Sequence, residues 1–343
     1  MSCPVPIMNH DTVQLAHGSG GKLSAELIDK MFLPRFDNEV LARMEDQAVL
    51  DWPGGRLAFT TDTFVVDPVF FPGGNIGDLA INGTVNDICM SGARPLFLSV
   101  AFIIEEGLPM ETLHRILLSM EAAVREAGVK VVAGDTKVVP KGGCDKIFIN
   151  TSGIGLVPAG IAMSAAALRP GDKVILSGTV ADHGMAVMTS RESLSFQSDI
   201  KSDTASLHGL VEKMLRASPS IRAMRDPTRG GVAAILNEFA KSSATGIRIS
   251  RDLVPVRSPV QAACELLGID PLTVANEGKL VAVVEAGAAE VVLAAMREHP
   301  LGAEAVLIGE VVSDHPGMVT EETAFGGTLI LDMPVGEQLP RIC

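Results

Sequence analysis

Ala58-Phe-Thr-Thr-Asp62-Thr-Phe-Val-Val66, followed after a Pro/Gly turn by Gly77-Asp-Leu-Ala-Ile-Asn-Gly-Thr-Val-Asn-Asp-Ile-Cys-Met-Ser-Gly92, decides how this chain folds. β-Branched and aromatic residues dominate the first piece, so Leu57 to Val69 is expected as a strand, with Asp62 interrupting its middle. In the second, Ile81, Val85 and Ile88 recur at helical spacing, and Asp78 is placed to cap or charge the first turn. The opposite face repeats polar residues instead, Asp78, Asn82 and Asn86, with Asp87 beside the last.

Working outward, Leu96 to Ile104 reads as a second strand, and Leu113, Ile116, Leu117, Met120 and Val124 form one helical stripe that Gly128 ends. Lys130–Ala133 and Lys146–Ile154 complete a βαβαββ-like half, and Pro158 to Gly171 reads as a linker. The second half opens with the strand Lys173–Leu176. Its helices follow from Leu207/Leu210/Val211/Met214, Val232/Ile235/Leu236/Phe239 and Val260/Cys264/Leu267, with strands at Leu280–Val284, Val306–Val312 and Gly327–Met333. Alternating strands and helices in both halves argue for two α/β domains. They are expected over residues 1–160 and 161–333, leaving 334–343 as a proline-bearing tail.

The 343 residues carry 41 acidic against 28 basic side chains, a net charge of −13, which argues against a general nucleic-acid binder. With 47% hydrophobic and 20% charged residues the chain is globular rather than disordered. No apolar run approaches the roughly 20 residues that span a bilayer. Met1 to Pro6 lacks the basic and apolar regions of a secretory signal, so the cytoplasm is expected. The cysteines Cys3, Cys89, Cys144, Cys264 and Cys343 form no CxxC pair. Cys89 and Cys264 fall in apolar helical patterns, where a thiol behaves as a small hydrophobe.

His17-Gly-Ser-Gly-Gly-Lys22 invites a phosphate, since glycines let backbone N–H groups approach an anion and lysine adds charge. It is not a P-loop, because Ala16 stands where a glycine is needed and Leu23 where Ser or Thr is needed; Leu23 also replaces the third glycine of the dinucleotide fingerprint. A glycine-rich turn capping the helix from Leu23 accounts for it as well. Asp46, Asp62, Asp87 and Asp226 each adjoin apolar or glycine-rich sequence, and buried carboxylates need partners. Mg2+ commonly bridges carboxylates to phosphates, whereas a helix cap or ion pair explains any one aspartate alone. Gly134-Asp-Thr-Lys137 follows a buried-looking strand, so Thr136 and Lys137 are expected at its carboxyl end, the usual ligand side. Asp226-Pro-Thr-Arg-Gly-Gly231 precedes a helix, and its N–H groups with Arg229 could face phosphate. Glu277, in Asn276-Glu-Gly-Lys279, is either a general base or a partner of Lys279.

Read together, Thr61-Asp-Thr63, Asn82-Gly-Thr-Val-Asn-Asp87, Met90-Ser-Gly-Ala-Arg-Pro95, Gly134-Asp-Thr-Lys137 and Asp226-Pro-Thr-Arg-Gly-Gly231 resemble the aminoimidazole-ribonucleotide-synthetase (PurM-like) superfamily. The resemblance spans nearly the whole chain. It implies ATP-dependent activation of an amide- or carboxyl-type oxygen or another nucleophile. It also implies an α/β (α+β) two-domain fold: an N-terminal domain that forms a dimeric β-barrel-like core, and a C-terminal α/β domain. Selenophosphate synthetases place a reactive Cys or selenocysteine in the glycine-rich loop, which His17–Lys22 lacks.

Pro340-Arg-Ile-Cys343 resembles the end of the HypE family, the carbamoyl dehydratases of nickel–iron hydrogenase maturation, and the His-Gly-Ser-Gly-Gly-Lys loop is also similar to theirs. That resemblance implies a flexible tail whose Cys343 accepts a carbamoyl group from the carbamoyltransferase HypF. ATP-dependent dehydration then gives a thiocyanate, whose cyanide passes to a HypC–HypD complex. By the same resemblance Asp46, Asp62, Asp87 and Asp226 bind ATP-associated Mg2+. His17, Gly18, Ser19, Gly20, Gly21 and Lys22 cover the phosphates, with Asn86, Gly134, Asp135, Thr136 and Arg229 supporting the nucleotide. Lys137 and Glu277 sit at the reacting group, Lys137 for electrostatic stabilisation and Glu277 for proton abstraction. Two other readings stand beside it: a PurM-like ligase or kinase acting on a free metabolite, and a nucleotide-gated thiol carrier.

Overall fold

The computed structural model describes residues 10–18, 22–41, 52, 54–191, 199–323, 326–333, 339 and 341–343. Near the N-terminus α1 (Lys22–Leu27) runs through a π-turn over Ile28–Phe32 into α2 (Leu33–Phe36). The decisive stretch forms β1 (Arg56–Phe64), a short hairpin of β2 (Phe70–Phe71) and β3 (Gly74–Asn75), and α3 (Ile76–Met90). Asn75 and Asp78 cap α3 reciprocally. The Asn75 side chain accepts from Gly77 N–H at 2.8 Å, and Asp78 Oδ1 accepts from Asn75 N–H at 2.7 Å. β1 ends at Phe64 rather than Val69 because the next N–H groups, of Val65 and Asp67, serve the C-terminal tail instead of a neighbouring strand.

β4 (Arg94–Glu105), α4 (Met110–Ala127), β5 (Lys130–Val139) and β6 (Ile147–Val157) complete the first domain. The sheet order is β1-β6-β4-β5. Its pairs are antiparallel except β4 with β5, where α4 supplies the crossover that parallel strands require. Phe64, Leu98, Val100, Phe102, Ile104 and Ile149 are buried on one face, in a core they share with α3 and α4. The other face is open, and Leu57, Phe59 and Ile103 are 49%, 65% and 44% exposed there. The described residues of one copy thus form an open sheet, not a closed barrel.

The second domain comprises β7 (Lys173–Leu176), α5 (Asp182–Thr189), α6 (His208–Ala217), β8 (Ile221–Arg225), α7 (Gly231–Ser243), β9 (Gly246–Ser250), α8 (Ser258–Leu267), β10 (Val281–Val284), α9 (Ala289–Arg297), β11 (Val306–Val312), β12 (Val319–Glu322) and β13 (Thr328–Ile330). Its sheet runs β13-β12-β9-β11-β7-β10-β8, antiparallel except for β12 with β9. β10 is wholly buried, as its unbroken Val-Ala-Val-Val run requires. No helix among the described residues is long and apolar enough to cross a membrane.

The tail tip returns to the first domain. Val65 N–H donates to the main-chain oxygen of Cys343 and Asp67 N–H to the carbonyl of Arg341, each at 3.1 Å, so Arg341–Cys343 lies antiparallel to the chain continuing from β1. Arg341 Nε donates to the Val65 carbonyl at 3.0 Å, its guanidinium pairs with Asp145, and Ile342 is buried.

Candidate active site

Alternation along β1 turns Thr60 and Asp62 toward α3. That approach depends on Gly83, where a Cβ would stand 2.9 Å from the Phe64 ring and 3.7 Å from Asp62 Oδ2. Thr60 Oγ1 then donates to Asp87 Oδ2 at 2.7 Å. Asp226 enters from the second domain on the loop between β8 and α7, and Glu277 from the approach to β10; both are buried. Gly278 lets the segment carrying Asp203 lie against this approach, for a Cβ there would fall 1.8 Å from the Asp203 carbonyl. Asp203 Oδ1 accepts from Glu277 N–H at 3.1 Å, while Oδ2 pairs with Lys279 at 3.3 Å.

The carboxylates raise one another's proton affinity. Burial and the charge of Asp87 push Asp62 up to about 6, and burial with Asp87 and Asp62 pushes Asp226 up to about 7. Asp87 is raised by burial against the pull of Thr60. Glu277 is pushed well above the usual range by burial and then by Asp226, Asp203, Asp62 and Asp87, and its Oε1 is buried without a hydrogen-bond partner among the described residues. A cleft of about 440 Å³ opens beside them, lined by Thr60, Asp87, Arg225, Asp226, Thr228 and Arg229. So much compressed negative charge favours a cation. Yet among the described residues no three His, Cys, Asp or Glu side chains converge to hold one unaided. The donors therefore fit Mg2+ shared with phosphate and water, its usual state, better than a protein-only cage.

Asp62, Asp87, Asp226 and Glu277 are thus brought into one electrostatic cluster, with Arg229 close enough to draw Asp62 down. Asp46, Ser19, Gly20, Gly21 and the Lys22 side chain lie outside the described residues, and Gly18 closes a 3-10 turn. His17 is buried, its Nδ1 accepts from Gln14 N–H at 2.9 Å, and burial lowers its pKa, so the ring braces the turn at residues 15–18, which packs against β5. Asn86 is buried and used internally: its Nδ2 donates to the Ala205 and Glu277 carbonyls at 3.0 and 3.3 Å, and its Oδ1 accepts from Leu207 N–H at 2.8 Å. It fastens the two domains behind Glu277.

Two expectations need correcting. Gly134–Lys137 does not follow a strand but lies inside β5, which stays paired with β4 as far as Val139. Alternation consequently sends Thr136 toward the core and puts Asp135 and Lys137, an exposed pair at 3.4 Å, on the open face, opposite that of Asp62. Lys279 pairs with Asp203 rather than Glu277. Sequence reasoning also missed Thr60, Asp203 and His183. Thr60 was findable, two residues before Asp62 on the same strand face; Asp203 and His183 sit in sequence without an amphipathic period.

Residues 44–157 and 169–320 match the N-terminal and C-terminal domains, respectively, of AIR synthase related proteins, which defines the class of this fold and cleft. Carbamoyl dehydratase HypE of Rhizobium leguminosarum bv. viciae is 56% identical over 96% of this chain and 95% of its own. A crystal structure of hydrogenase maturation protein HypE in complex with ATP superposes with TM-score 0.92 at 50% identity, covering 96% of this chain and 99% of that one. A HypE–HypF complex structure matches with TM-score 0.79 at 52% identity, over 92% and 100%. The chain belongs to the HypE carbamoyl dehydratase family.

Proposed function

We propose that this chain carries a carbamoyl group on the Cys343 thiol and dehydrates it with ATP, converting the S-carboxamide to an S-cyanide for the iron of a nickel–iron hydrogenase. The observation that carries the reading is the seat of Cys343, hydrogen-bonded to Val65, three residues beyond the Asp62 of the carboxylate cluster. Bound Mg-ATP supplies the phosphoryl group that makes the carboxamide oxygen a leaving group. Asp62, Asp87 and Asp226, with Asp46, would hold the magnesium, and Arg229 with the N–H groups opening α7 would face phosphate. Ser19 to Lys22 are the part of the glycine-rich loop offered to the phosphates, and Asn86 holds the Glu277 backbone; Asp135, on the open face with Lys137, meets a nucleotide only from a second copy. Burial and the neighbouring carboxylates raise the affinity of Glu277 for a proton in the ligand-free site. Once the aspartates' charge is balanced its carboxylate is available: it takes one amide proton as the oxygen is phosphorylated, releases it to solvent, and takes the second as the carbon–nitrogen triple bond forms and phosphate departs. The sum is carboxamide plus ATP giving thiocyanate, ADP and phosphate.

Intact mass after incubation with HypF as carbamoyl donor tests this directly. One carbamoyl group is expected on the C-terminal peptide, then loss of one water on adding ATP; a mass unchanged by ATP would favour the thiol-carrier reading. Glu277→Gln should load normally but dehydrate at least about 100-fold more slowly in a single turnover, the usual scale for loss of a general base. Normal dehydration would require another base. HypF as donor, HypC–HypD as cyanide acceptor and a cytoplasmic setting complete this reading.

A second copy fits the open face of the first sheet. Leu57, Phe59 and Ile103 are exposed on it, as a sheet face awaiting a partner would be. Pairing there closes two sheets into a barrel-like core and places Lys137 at the interface, so that its role at the phosphoryl group depends on the homodimer. Ile103→Asp should halve the mass seen by sedimentation, because a charge would be buried on a central strand of that face. An Ile103→Asp chain that sediments like wild type would place the interface elsewhere.

A further inference from the structure

The segment from Ser202 to Leu207 reaches the seated tail through His183 at one end and touches the carboxylate site at the other. Ser202 N–H donates to the Pro72 carbonyl at 2.8 Å, and Ser202 Oγ accepts from Thr204 N–H at 3.1 Å. The same hydroxyl lies 2.7 Å from His183 Nδ1, and His183 Nε2 lies 2.9 Å from the Ile342 carbonyl. A carbonyl can only accept, so Nε2 carries the proton and Nδ1 takes the serine O–H. His183 is fully buried on α5 with its ring edge-on to Phe71 at 5.4 Å, and burial lowers its pKa, which keeps the ring neutral with this single N–H.

Just beyond Ser202 the contacts change character. Asp203 receives Glu277 N–H and pairs with Lys279; Thr204 Oγ1 accepts from Asn82 Nδ2 at 3.3 Å; Ala205 and Leu207 bond the Asn86 amide. Residues 202–207 therefore meet, in order, the tail's donor, the backbone of the base and the polar face of α3.

We infer that Ser202 and His183 are positioning residues that latch the Arg341–Cys343 tip in its seat, and that residues 202–207 couple that latch to Glu277 and α3. The inference deepens the reading of Cys343 as the acceptor and rests on it. Arg191 braces the tip from its other side, through Nη2 to the Arg341 carbonyl at 3.1 Å and Nε to the Asp67 carbonyl at 3.0 Å. His183 acts on Ile342, the neighbour of Cys343, whose carbonyl would be left buried and unpaired without it. The order of contacts makes the tail's arrival felt at the base through one short stretch of backbone.

Hydrogen exchange at the Val65 and Asp67 amides, which the tip protects, reads the latch in the full-length chain; a chain lacking residues 341–343 sets the unprotected rate. Ser202→Ala and His183→Ala should each speed exchange at both amides about fivefold toward that rate, the worth of one neutral hydrogen bond. His183→Gln, which retains an N–H donor, should recover protection. Alkylation of Cys343 by iodoacetamide, read on the C-terminal peptide, should follow the same order. Should His183→Ala fail to fold, the smaller Ser202→Ala change decides alone. Wild-type protection in Ser202→Ala, or exchange in His183→Gln as fast as without the tip, overturns the latch. Neither readout uses a carbamoyl donor or ATP, so failure of the latch and failure of the dehydratase reading are separately visible.

Discussion

Replacing Cys343 by alanine is expected to abolish carbamoyl acceptance while leaving Mg-ATP binding close to that of the wild type. The tip is seated through main-chain oxygens, those of Arg341, Ile342 and Cys343, which alanine retains. The carboxylate cluster is held by Thr60, Asp203 and the loops before α7 and β10. The substitution therefore removes the nucleophile while keeping the backbone groups that seat the tip. Cys343→Ser sharpens the test, because a hydroxyl is a far weaker nucleophile near neutral pH than a thiol with a few per cent thiolate. Loading should fail there too, with ATP affinity by calorimetry intact. If either variant still gained a carbamoyl group on the C-terminal peptide and lost water with ATP, the acceptor would be another group.

The pieces legible in the sequence were those with a period or a fixed neighbour. α3 and α4 follow from one-sided apolar stripes, and β7 and β11 sit where their valine-rich runs placed them. α5 was missed because Asp182, His183, Gly184, Met185, Ala186 and Val187 are all buried, and a helix enclosed on every side shows no amphipathic face. β8, β9 and β12 are four or five residues each, too short for alternation to stand out. Within the site, Asp62, Asp87 and Asp226 could be named because carboxylates amid apolar or glycine-rich sequence are conspicuous, whereas Glu277 stood out only as a carboxylate entering a strand and through the family resemblance. The side on which Lys137 stands could not be named. That depends on β5 continuing three residues past Thr136 as an edge strand, which the polar Asp-Thr-Lys run conceals, and a strand's parity decides which face a side chain takes. His183 and Ser202, 19 residues apart, meet only through the fold.

Asp226→Asn should produce opposite changes in stability and in ligand binding. In the metal-free protein Asp226 has a pKa of about 7, raised chiefly by burial and then by the charge of Asp87, against a reference value of 3.8. A carboxyl whose folded pKa lies above its unfolded value helps the fold while both states can hold the proton. That help is lost as pH rises from the unfolded pKa through the folded one, since the native state must then bury an anion the unfolded chain solvates freely. Asparagine has no such cost. Asp226→Asn should therefore melt at a higher temperature than wild type at pH 8 without Mg-ATP, with the advantage shrinking toward pH 4, where both forms are neutral. Adding Mg-ATP should reverse the order. A ligand that binds only the folded state stabilises it by mass action, and this gain belongs to the chain that keeps the carboxylate. Loss of a direct metal ligand should weaken Mg-ATP by at least about 100-fold, given that even an outer-shell partner is worth 10–100-fold in metal affinity. Asp87→Asn should lose affinity likewise, but with a smaller gain in melting temperature, because Thr60 already eases the charge of Asp87. Scanning calorimetry across pH with and without Mg-ATP reads both effects in one experiment. An Asp226→Asn chain that melts lower at pH 8 and still gains the full Mg-ATP shift would show that this carboxylate braces the fold and takes no part in holding the nucleotide's metal.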